Sequence, residues 1–421
     1  MGKLNKVSIL AVIVFALVIV ASRALFFTQN SNHSSISISS DGVATSSQSF
    51  GRGFSNTNPE LLGKVADPNY KISFPKDHFS HDSFDIEWWY LTANLQDDEG
   101  NNYGLQWTLF RFRNPNIAND DATSDWNNEH IYMAHASVHS ASKHWFSEKF
   151  ARGNVGNAGV EKTPFKLFID NWQWSSATAG LLPAKLSFNA KLISNTAKNS
   201  NGSHLNVQLN LSNTGSYVLQ GQDGYSIKSA NGKHASHYYS APFIDIDGTF
   251  TISEELKAPD LKPNQNSNRS SNLSLNELDR QIAVKGNAWF DQEWTSQLFD
   301  KTTLGWDWLS LHLENGDKIM AFRMRLQGQP DYITGTYIKA DGSSTTLMPS
   351  DIELNVIEST AVGNKKLPLD WQLNIESKGL EVSIKATKKD QWNPASIAYY
   401  EGTVAVSGTH KGKGFLELTG Y

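Results

Sequence analysis

The chain has 421 residues, of which 39% are hydrophobic and 19% charged, and its net charge is −5. This amount of apolar material excludes a globally disordered chain, and the acidic balance lacks the clustered basic excess that nucleic-acid binding requires. Because the sequence contains no cysteine, disulfides, thiolate metal sites and cysteine nucleophiles are excluded as well.

The N-terminus has the features of an export signal. Lys3 and Lys6 precede an apolar run from Val7 to Ala21, and small residues flank Arg23 at a potential cleavage site. Residues 1–24 are therefore predicted to be a signal peptide, or an uncleaved signal anchor if the apolar run is extended to Phe27. Both alternatives place the body of the protein in the periplasm or elsewhere outside the cytoplasm.

Two polar segments carry no hydrophobic period. Residues 25–69 are rich in Ser, Asn and Gly and are predicted to form a disordered spacer. Residues 258–279 have the same character, and we interpret them as a polar insertion near the end of the first domain.

Most of the remaining chain alternates apolar and polar residues. The alternation is clear at Val207, Leu209 and Leu211 and again in the run that ends at Ile375. This period of two is typical of β-strands with one buried face, and turn sequences such as Glu314–Asp317 fall between the runs. The sequence therefore predicts an all-β protein.

The chain also repeats itself. The sequence FDIEW at 84–88 recurs as FDQEW at 290–294, and each copy is followed by a strand, a turn and a strand that ends in Phe-Arg-x-Arg. We interpret this as a duplication that gives a first domain at 70–290 and a second at 291–421. The second copy, at about 130 residues, is the size of one eight-stranded up-and-down barrel. The first is longer because of insertions at 114–130, 153–165 and 258–279.

The repeated motif holds paired carboxylates. Asp85 and Glu87 share a strand face about 6.6 Å apart, as do Asp291 and Glu293. Such pairs can act as acid and base. The alternative is a structural role, in which the carboxylates pair with arginines one strand away, among them Arg111 and Arg323; because the motif is duplicated, we favour that role for the Glu–Arg sets.

Histidines offer a second candidate site. His135 and His139 share a strand face but lie about 13 Å apart, too far for one metal, so His135 is expected to be a pocket or core residue.

A further candidate site combines His237 and Tyr239 on one strand with Trp289 and Asp291 on another. An aspartic acid beside an indole in an apolar cavity would have a raised pKa and could protonate an alkene, although a structural polar cluster is an equally good explanation. The sequence contains no serine-hydrolase, Walker or HExxH motif, so a hydrolase is not supported, and neither a metal nor another cofactor is predicted.

These segments resemble the AttH/CrtC family of carotenoid hydratases and predicted secreted hydrolases. The resemblance runs from about Phe74 to Tyr421 and is carried by FDIEWWYLTANL, HYYSAPFIDIDGT, KGNAWFDQEWTSQ, GWDWLSLHLENGDKIMAFRMR and YYEGTVAVSGTHKGKGFLELTGY. It implies two tandem lipocalin-like barrels. It also implies an envelope partner, since members of the secreted branch resemble accessory proteins of ABC transporter permeases.

The resemblance extends to a catalytic set. Carotenoid hydratases of this family look to use His-x-Trp and Tyr-x-Asp, and the matching positions here are His237, Tyr239, Trp289 and Asp291. Tyr239 stands where Trp is expected and Trp289 where Tyr is expected, so two of the four positions depart from the set of the carotenoid hydratases, and both remain aromatic.

Three functions follow as hypotheses. The first is binding of a hydrophobic small molecule, such as a lipid or isoprenoid, in an aromatic barrel. The second is a hydratase-type lyase in which Asp291 donates the proton, His237 and Tyr239 place the water and Trp289 covers the cation. The third is a scaffold for a membrane transporter. A deep apolar pocket that contains Asp291 would favour the second.

Overall fold

The computed structural model describes residues 63–113, 130–193, 203–255, 277–298, 300 and 302–421. The predicted signal segment 1–24 and residues 25–62 of the predicted spacer lie outside these residues, as does most of the predicted insertion 258–279. Residues 63–69, which were predicted to be spacer, instead contact the first domain: the Gly63 amide donates to Asp85 Oδ2 at 3.0 Å, and the Asp67 amide donates to His237 Nε2 at 3.3 Å.

The segments in which apolar and polar residues alternate form two antiparallel sheets, as predicted. Within the described ranges the first sheet has thirteen strands. They are β1 (Ile86–Asp97), β2 (Asn102–Arg113), β3 (His130–His139), β4 (His144–Arg152), β5 (Ala158–Lys162), β6 (Phe165–Ile169), β7 (Trp172–Ser176), β8 (Ala184–Leu192), β9 (His204–Asn213), β10 (Val218–Leu219), β11 (Tyr225–Ile227), β12 (Ala235–Glu255) and β13 (Glu277–Thr295). A 3-10 turn at Lys76–His78 precedes β1.

Eight of these strands close into a barrel in the order β12, β13, β1, β2, β3, β4, β8 and β9, because β9 pairs with both β8 and β12. Strands β5–β7 form an additional segment beside β8. Trp174 of β7 is fully buried and contacts Trp107 and Phe290 of the barrel core. The interior of the first barrel is therefore filled by side chains.

The second sheet has ten strands within the described ranges and curves into a half-barrel. They are β14 (Thr303–Leu313), β15 (Lys318–Leu326), β16 (Tyr332–Ile338), β17 (Ser344–Leu347), β18 (Glu353–Val362), β19 (Lys365–Ile375), β20 (Leu380–Ala386), β21 (Trp392–Asn393), β22 (Tyr399–Gly408) and β23 (Gly412–Leu418), with a 3-10 turn at Glu376–Lys378. Its concave side holds a separate core that includes Leu309, Trp371 and Val404. The chain is thus all-β, with one closed eight-stranded barrel followed by a half-barrel, which is consistent with the predicted tandem lipocalin-like barrels.

The domain boundary and the repeat differ from the prediction. Strand β13 belongs to the first sheet as far as Thr295, so the predicted boundary after residue 290 falls inside a strand. The two repeated sequences also lie side by side within the first sheet, because 84–88 leads into β1 and 290–294 ends β13. The strand equivalent to β1 is β14: Glu87 lies opposite Arg111 on β2, just as Asp307 lies opposite Arg323 on β15.

Strand β1 is buried on both of its faces where it lies beside the second sheet. Along β1, Trp89 and Leu91 point into the barrel core, whereas Tyr90 joins a separate cluster with Trp308 and Phe322 of the second sheet. Burial of both faces means that the two sheets pack against each other through an aromatic layer. In the described part of the chain, no helix is long and apolar enough to cross a membrane.

Candidate active site between the two sheets

A cavity of about 80 Å³ lies in the layer between the two sheets. The first sheet contributes side chains from β1, β2, β3, β12 and β13, and the second from β14, β15, β22 and β23. Its walls are mostly aromatic and include Trp88, Tyr90, Phe110, Trp308, Phe322 and Tyr399. An apolar pocket with a few convergent polar groups is the usual form of a small-molecule site.

Asp291 is a carboxyl of the cavity wall whose pKa is strongly raised. It is 2% exposed and accepts three hydrogen bonds, from Tyr238 Oη at 2.8 Å, Ser240 Oγ at 2.6 Å and Trp289 Nε1 at 2.7 Å. Burial raises its pKa to about 7, and the three donors, which stabilise the charged form, oppose this only in part. Asp291 can therefore hold or release a proton near neutral pH.

Tyr238 connects Asp291 to the second sheet. Its hydroxyl donates to Asp291 and accepts a hydrogen bond from Trp308 Nε1 at 3.2 Å. Trp308 in turn meets Tyr90 edge to face, with ring centroids 5.2 Å apart. These contacts orient the Asp291 carboxyl from both sheets, and they place two aromatic rings at the cavity wall near it.

Two further carboxyls, one half-buried and one fully buried, belong to the second sheet. Glu417 lines the cavity and accepts from Trp306 Nε1 at 3.1 Å, and burial raises its pKa to about 8. Glu401 lies opposite Glu417 on β22 and accepts from Tyr90 Oη at 2.7 Å; burial holds its pKa well above the usual range. Neither carboxyl has a cation within ion-pair distance in the described residues, so both favour the protonated form.

Glu293 also lines the cavity but remains paired. Lys228 Nζ lies 3.1 Å from Glu293 Oε1 and over the rings of Tyr238 and Phe322, at 4.6 and 4.4 Å from their centroids. This buried ammonium balances Glu293, whereas Asp291, the other β13 carboxyl that lines the cavity, has no ion pair among the described residues.

The four residues of the predicted catalytic set do not form one site. Asp291 lines the cavity and Trp289 lies in the same aromatic layer between the sheets, whereas His237 and Tyr239 point into the first barrel. The cause is register: His237 lies opposite Trp294, whose ring is in the barrel core, while Ser240 lies opposite Asp291. His237 Nε2 accepts from the Asp67 amide at 3.3 Å, and burial lowers the pKa of His237 to about 4.

The Glu–Arg sets follow the structural prediction in the first copy only. Glu87 is fully buried and pairs with Arg111 at 3.2 Å, and Asp85 pairs with Arg113 at 2.9 Å. In the second copy Arg323 pairs with Asp307 at 2.6 Å, not with a carboxylate of β13. The prediction for Arg323 was wrong because the repeated FDxEW motif does not occupy equivalent strands.

His135 is a cavity residue, and its partners are side chains. Its Nδ1 lies 3.1 Å from Tyr399 Oη and its Nε2 lies 3.0 Å from Glu148 Oε1. Burial lowers the pKa of His135, which Glu148 only partly offsets. The neutral ring therefore joins the two sheets at the cavity wall.

Sequence comparisons identify the family of the chain. A family model described as AttH-like matches residues 65–421. The chain belongs to the AttH-like family. No curated protein matches it.

Two solved structures support the fold of this AttH-like chain. A structure described as AttH from Nitrosomonas europaea is 25% identical, with a TM-score of 0.66, and the match covers 85% of this chain and 99% of that one. Kievitone hydratase from Nectria haematococca is 15% identical, with a TM-score of 0.54, and the match covers 87% and 96% of the two chains. At that identity the second match is evidence for the fold alone.

Sequence reasoning missed several residues of the AttH-like site, chiefly Tyr238, Trp308, Glu401 and Glu417. The internal repeat carried a usable signal. Tyr238-Tyr239 on β12 corresponds to Tyr399-Tyr400 on β22, and Tyr238 and Tyr399 both line the cavity. This correspondence is visible in the sequence, but the packing of the two sheets, which brings Tyr238 and Tyr399 to one cavity, is not.

Proposed function

We propose that this AttH-like protein binds a small apolar group in the cavity between its sheets and adds water to a carbon–carbon double bond of that group by acid catalysis. The observation that carries the proposal is the position of Asp291, a carboxyl with a pKa of about 7 in an aromatic wall. A general acid is most effective when its pKa lies near the working pH.

The proposed reaction uses one carboxyl twice. Protonated Asp291 transfers its proton to one carbon of the double bond, and a cation develops at the other carbon. The ring faces of Trp308 and Tyr90 stabilise that cation. Water then adds to the cationic carbon, and the proton it releases returns to the Asp291 carboxylate. Tyr238, Ser240 and Trp289 hold the carboxylate in place between the two transfers.

The size of the cavity restricts the substrate. A cavity of about 150 Å³ holds a benzene ring, so 80 Å³ suits only a small branched end of a longer molecule. A whole lipid chain does not fit. This favours a terminal alkene, such as the end of an isoprenoid, over burial of a complete lipid.

Binding without turnover is the second candidate function. The apolar lining alone supports the capture of a hydrophobic group, and Asp291 would then be a hydrogen-bonding group that selects polar atoms of the ligand. The two candidates differ in whether Asp291 exchanges its proton with a carbon atom of the ligand.

We further propose that this activity takes place outside the cytoplasmic membrane, beside a permease of the ABC transporter type. The apolar run after Lys3 and Lys6 supports the location. The partner rests on the resemblance to accessory proteins of such permeases.

The test begins with native mass spectrometry of the protein purified from its own cells, followed by organic extraction. The extracted compound, and farnesol as a defined probe, are then incubated with the protein in D₂O. Hydration adds one water and a carbon-bound deuterium that mass spectrometry counts, and Asp291→Asn is expected to abolish both. Deuterium uptake at the wild-type rate by Asp291→Asn would overturn the proposal. A bound ligand with no deuterium uptake would leave binding as the function.

A further inference from the structure

A second, larger concavity lies at the other end of the contact between the sheets. Its volume is about 770 Å³. Whereas the aromatic cavity lies near Trp88 and Tyr90, this groove lies near Asn94 and Leu95, toward the other end of β1. Its other walls come from the β3–β4 turn, from β13 and from residues 387–413 of the second sheet.

The charged side chains that line the groove are all cations. Lys143 and Arg280 come from the first sheet, and Lys388 and Lys413 come from the second; no Asp or Glu is among the described lining residues. Arg280 and Lys413 have no ion pair in the described part of the chain, and Lys388 has only Asp390, at 3.8 Å. Burial lowers the pKa of both Lys388 and Lys413. Lys143 pairs with Glu254 at 3.0 Å, whereas the charges of Arg280, Lys388 and Lys413 are poorly compensated by the described residues.

Unpaired polar groups lie at the base of the groove. His139 is 3% exposed, and neither of its ring nitrogens has a hydrogen-bond partner among the described residues. Gln391 is fully buried, and its Nε2 also has no hydrogen-bond partner among the described residues. The absence of a side chain at Gly104 leaves the space that the His139 ring occupies, since a Cβ there would overlap that ring. Buried polar groups without partners are uncommon and costly.

The remaining walls combine Asn, Ser and Thr side chains with a set of apolar ones. The apolar side chains include Leu95, Tyr103, Trp145, Ile252 and Ile282. A purely inorganic ion would leave this surface unused, whereas an anion with an apolar body would contact the cations and the apolar walls together.

We propose that the groove is a binding site for an amphipathic anion, whose phosphate or carboxylate group lies between the cations of the two sheets and whose apolar part packs beside Trp145. The site is separate from the Asp291 cavity and does not depend on the hydration proposed there. The same chemistry occurs in a free organic anion and in the headgroup of an anionic lipid, and the two sources can be told apart.

Isothermal titration calorimetry of the full chain with n-decyl phosphate, kept below its micelle concentration, tests the site. We expect saturable binding that weakens as salt is raised. Arg280→Gln and Lys413→Gln, one from each sheet, should each weaken it about tenfold, as the loss of a charge-assisted hydrogen bond predicts. Lys366→Gln, at an exposed lysine on β19 outside the groove, is the matched control and should bind as the wild type does.

A second arm uses vesicles of phosphatidylcholine with and without phosphatidylglycerol. Binding to the anionic vesicles that both groove variants lose would support the site and identify a lipid headgroup as its ligand, while binding of decyl phosphate alone would support it and identify a free anion. If neither probe binds the wild type, or if Arg280→Gln and Lys413→Gln bind as tightly as Lys366→Gln, the proposal is wrong.

Discussion

The Tyr238 hydroxyl donates a 2.8 Å hydrogen bond to Asp291 while it accepts one from Trp308, so one side chain ties the candidate acid to both sheets. Because the donor on Asp291 stabilises the carboxylate, Tyr238 acts as a positioning residue that also lowers the proton affinity of the acid.

Replacing Asp291 should separate chemistry from folding. Asp291→Asn keeps the shape of the side chain but cannot donate a proton to carbon, so hydration of the extracted ligand should fall at least a thousandfold. Retention of the ligand in native mass spectrometry is the control, because an intact cavity should still bind. Loss of both ligand and folded structure would instead mark Asp291 as a structural residue.

The same variant should change how stability depends on pH. The pKa of Asp291 is raised from 3.8 to about 7 by burial, so the folded state favours the protonated acid. The free energy of unfolding of the wild type should therefore fall, relative to Asp291→Asn, as pH rises from about 4 to about 7, by on the order of 4 kcal/mol in total. Urea titrations of both proteins across this range measure the difference. A constant difference would show that the carboxyl is not desolvated.

The two adjacent tyrosines allow a matched comparison. Tyr238→Phe removes a donor from Asp291, so the pKa of Asp291 should rise and the pH at which hydration declines should move upward, with a rate loss of about tenfold at neutral pH. Tyr239→Phe should leave that pH profile unchanged. It removes the hydroxyl that donates to Gln292 at 2.7 Å inside the barrel and should cost about 1–2 kcal/mol of stability. The opposite pattern would place the active site inside the first barrel.

We expect Glu87 to contribute to the stability of the fold and not to ligand binding or hydration. It is fully buried and contacts Arg111, His81 and Gln292. Glu87→Gln leaves Arg111 without its counter-charge and should lower the free energy of unfolding by about 3 kcal/mol, with or without ligand. The exposed Glu314→Gln is the control and should change it by less than about 0.5 kcal/mol. Because these partners lower the pKa of Glu87, the difference should shrink as pH falls below its unfolded value of about 4.5.

The sequence was sufficient for the class of fold because alternation at positions such as Leu209 and Leu373 reports directly which face of a strand is buried. It also identified Trp289 and Asp291 as neighbours on one face. It could not tell whether His237 and Tyr239 face the same side of the sheet as Trp289 and Asp291, since a shift of one residue in pairing exchanges the two faces of a strand.

The cavity itself could not be predicted from local pattern. Its walls combine Trp88 of β1 with Trp308 of β14 and Tyr399 of β22, residues far apart in the chain that meet only when the sheets pack. The repeat was predicted from the FDxEW sequence because that sequence is the most conspicuous similarity between the two copies. The paired positions Glu87–Arg111 and Asp307–Arg323 show that the structural repeat runs through a less similar segment.

Each strand beside the cavity carries two separate sets of contacts. On β1, Trp89 and Leu91 belong to the barrel core, and Trp88 and Tyr90 belong to the cavity. Substitutions at the second set can reshape the ligand site without disturbing the core that holds the barrel together. The specificity of this chain can therefore be altered through every other residue of β1 without changing the residues that form the barrel core.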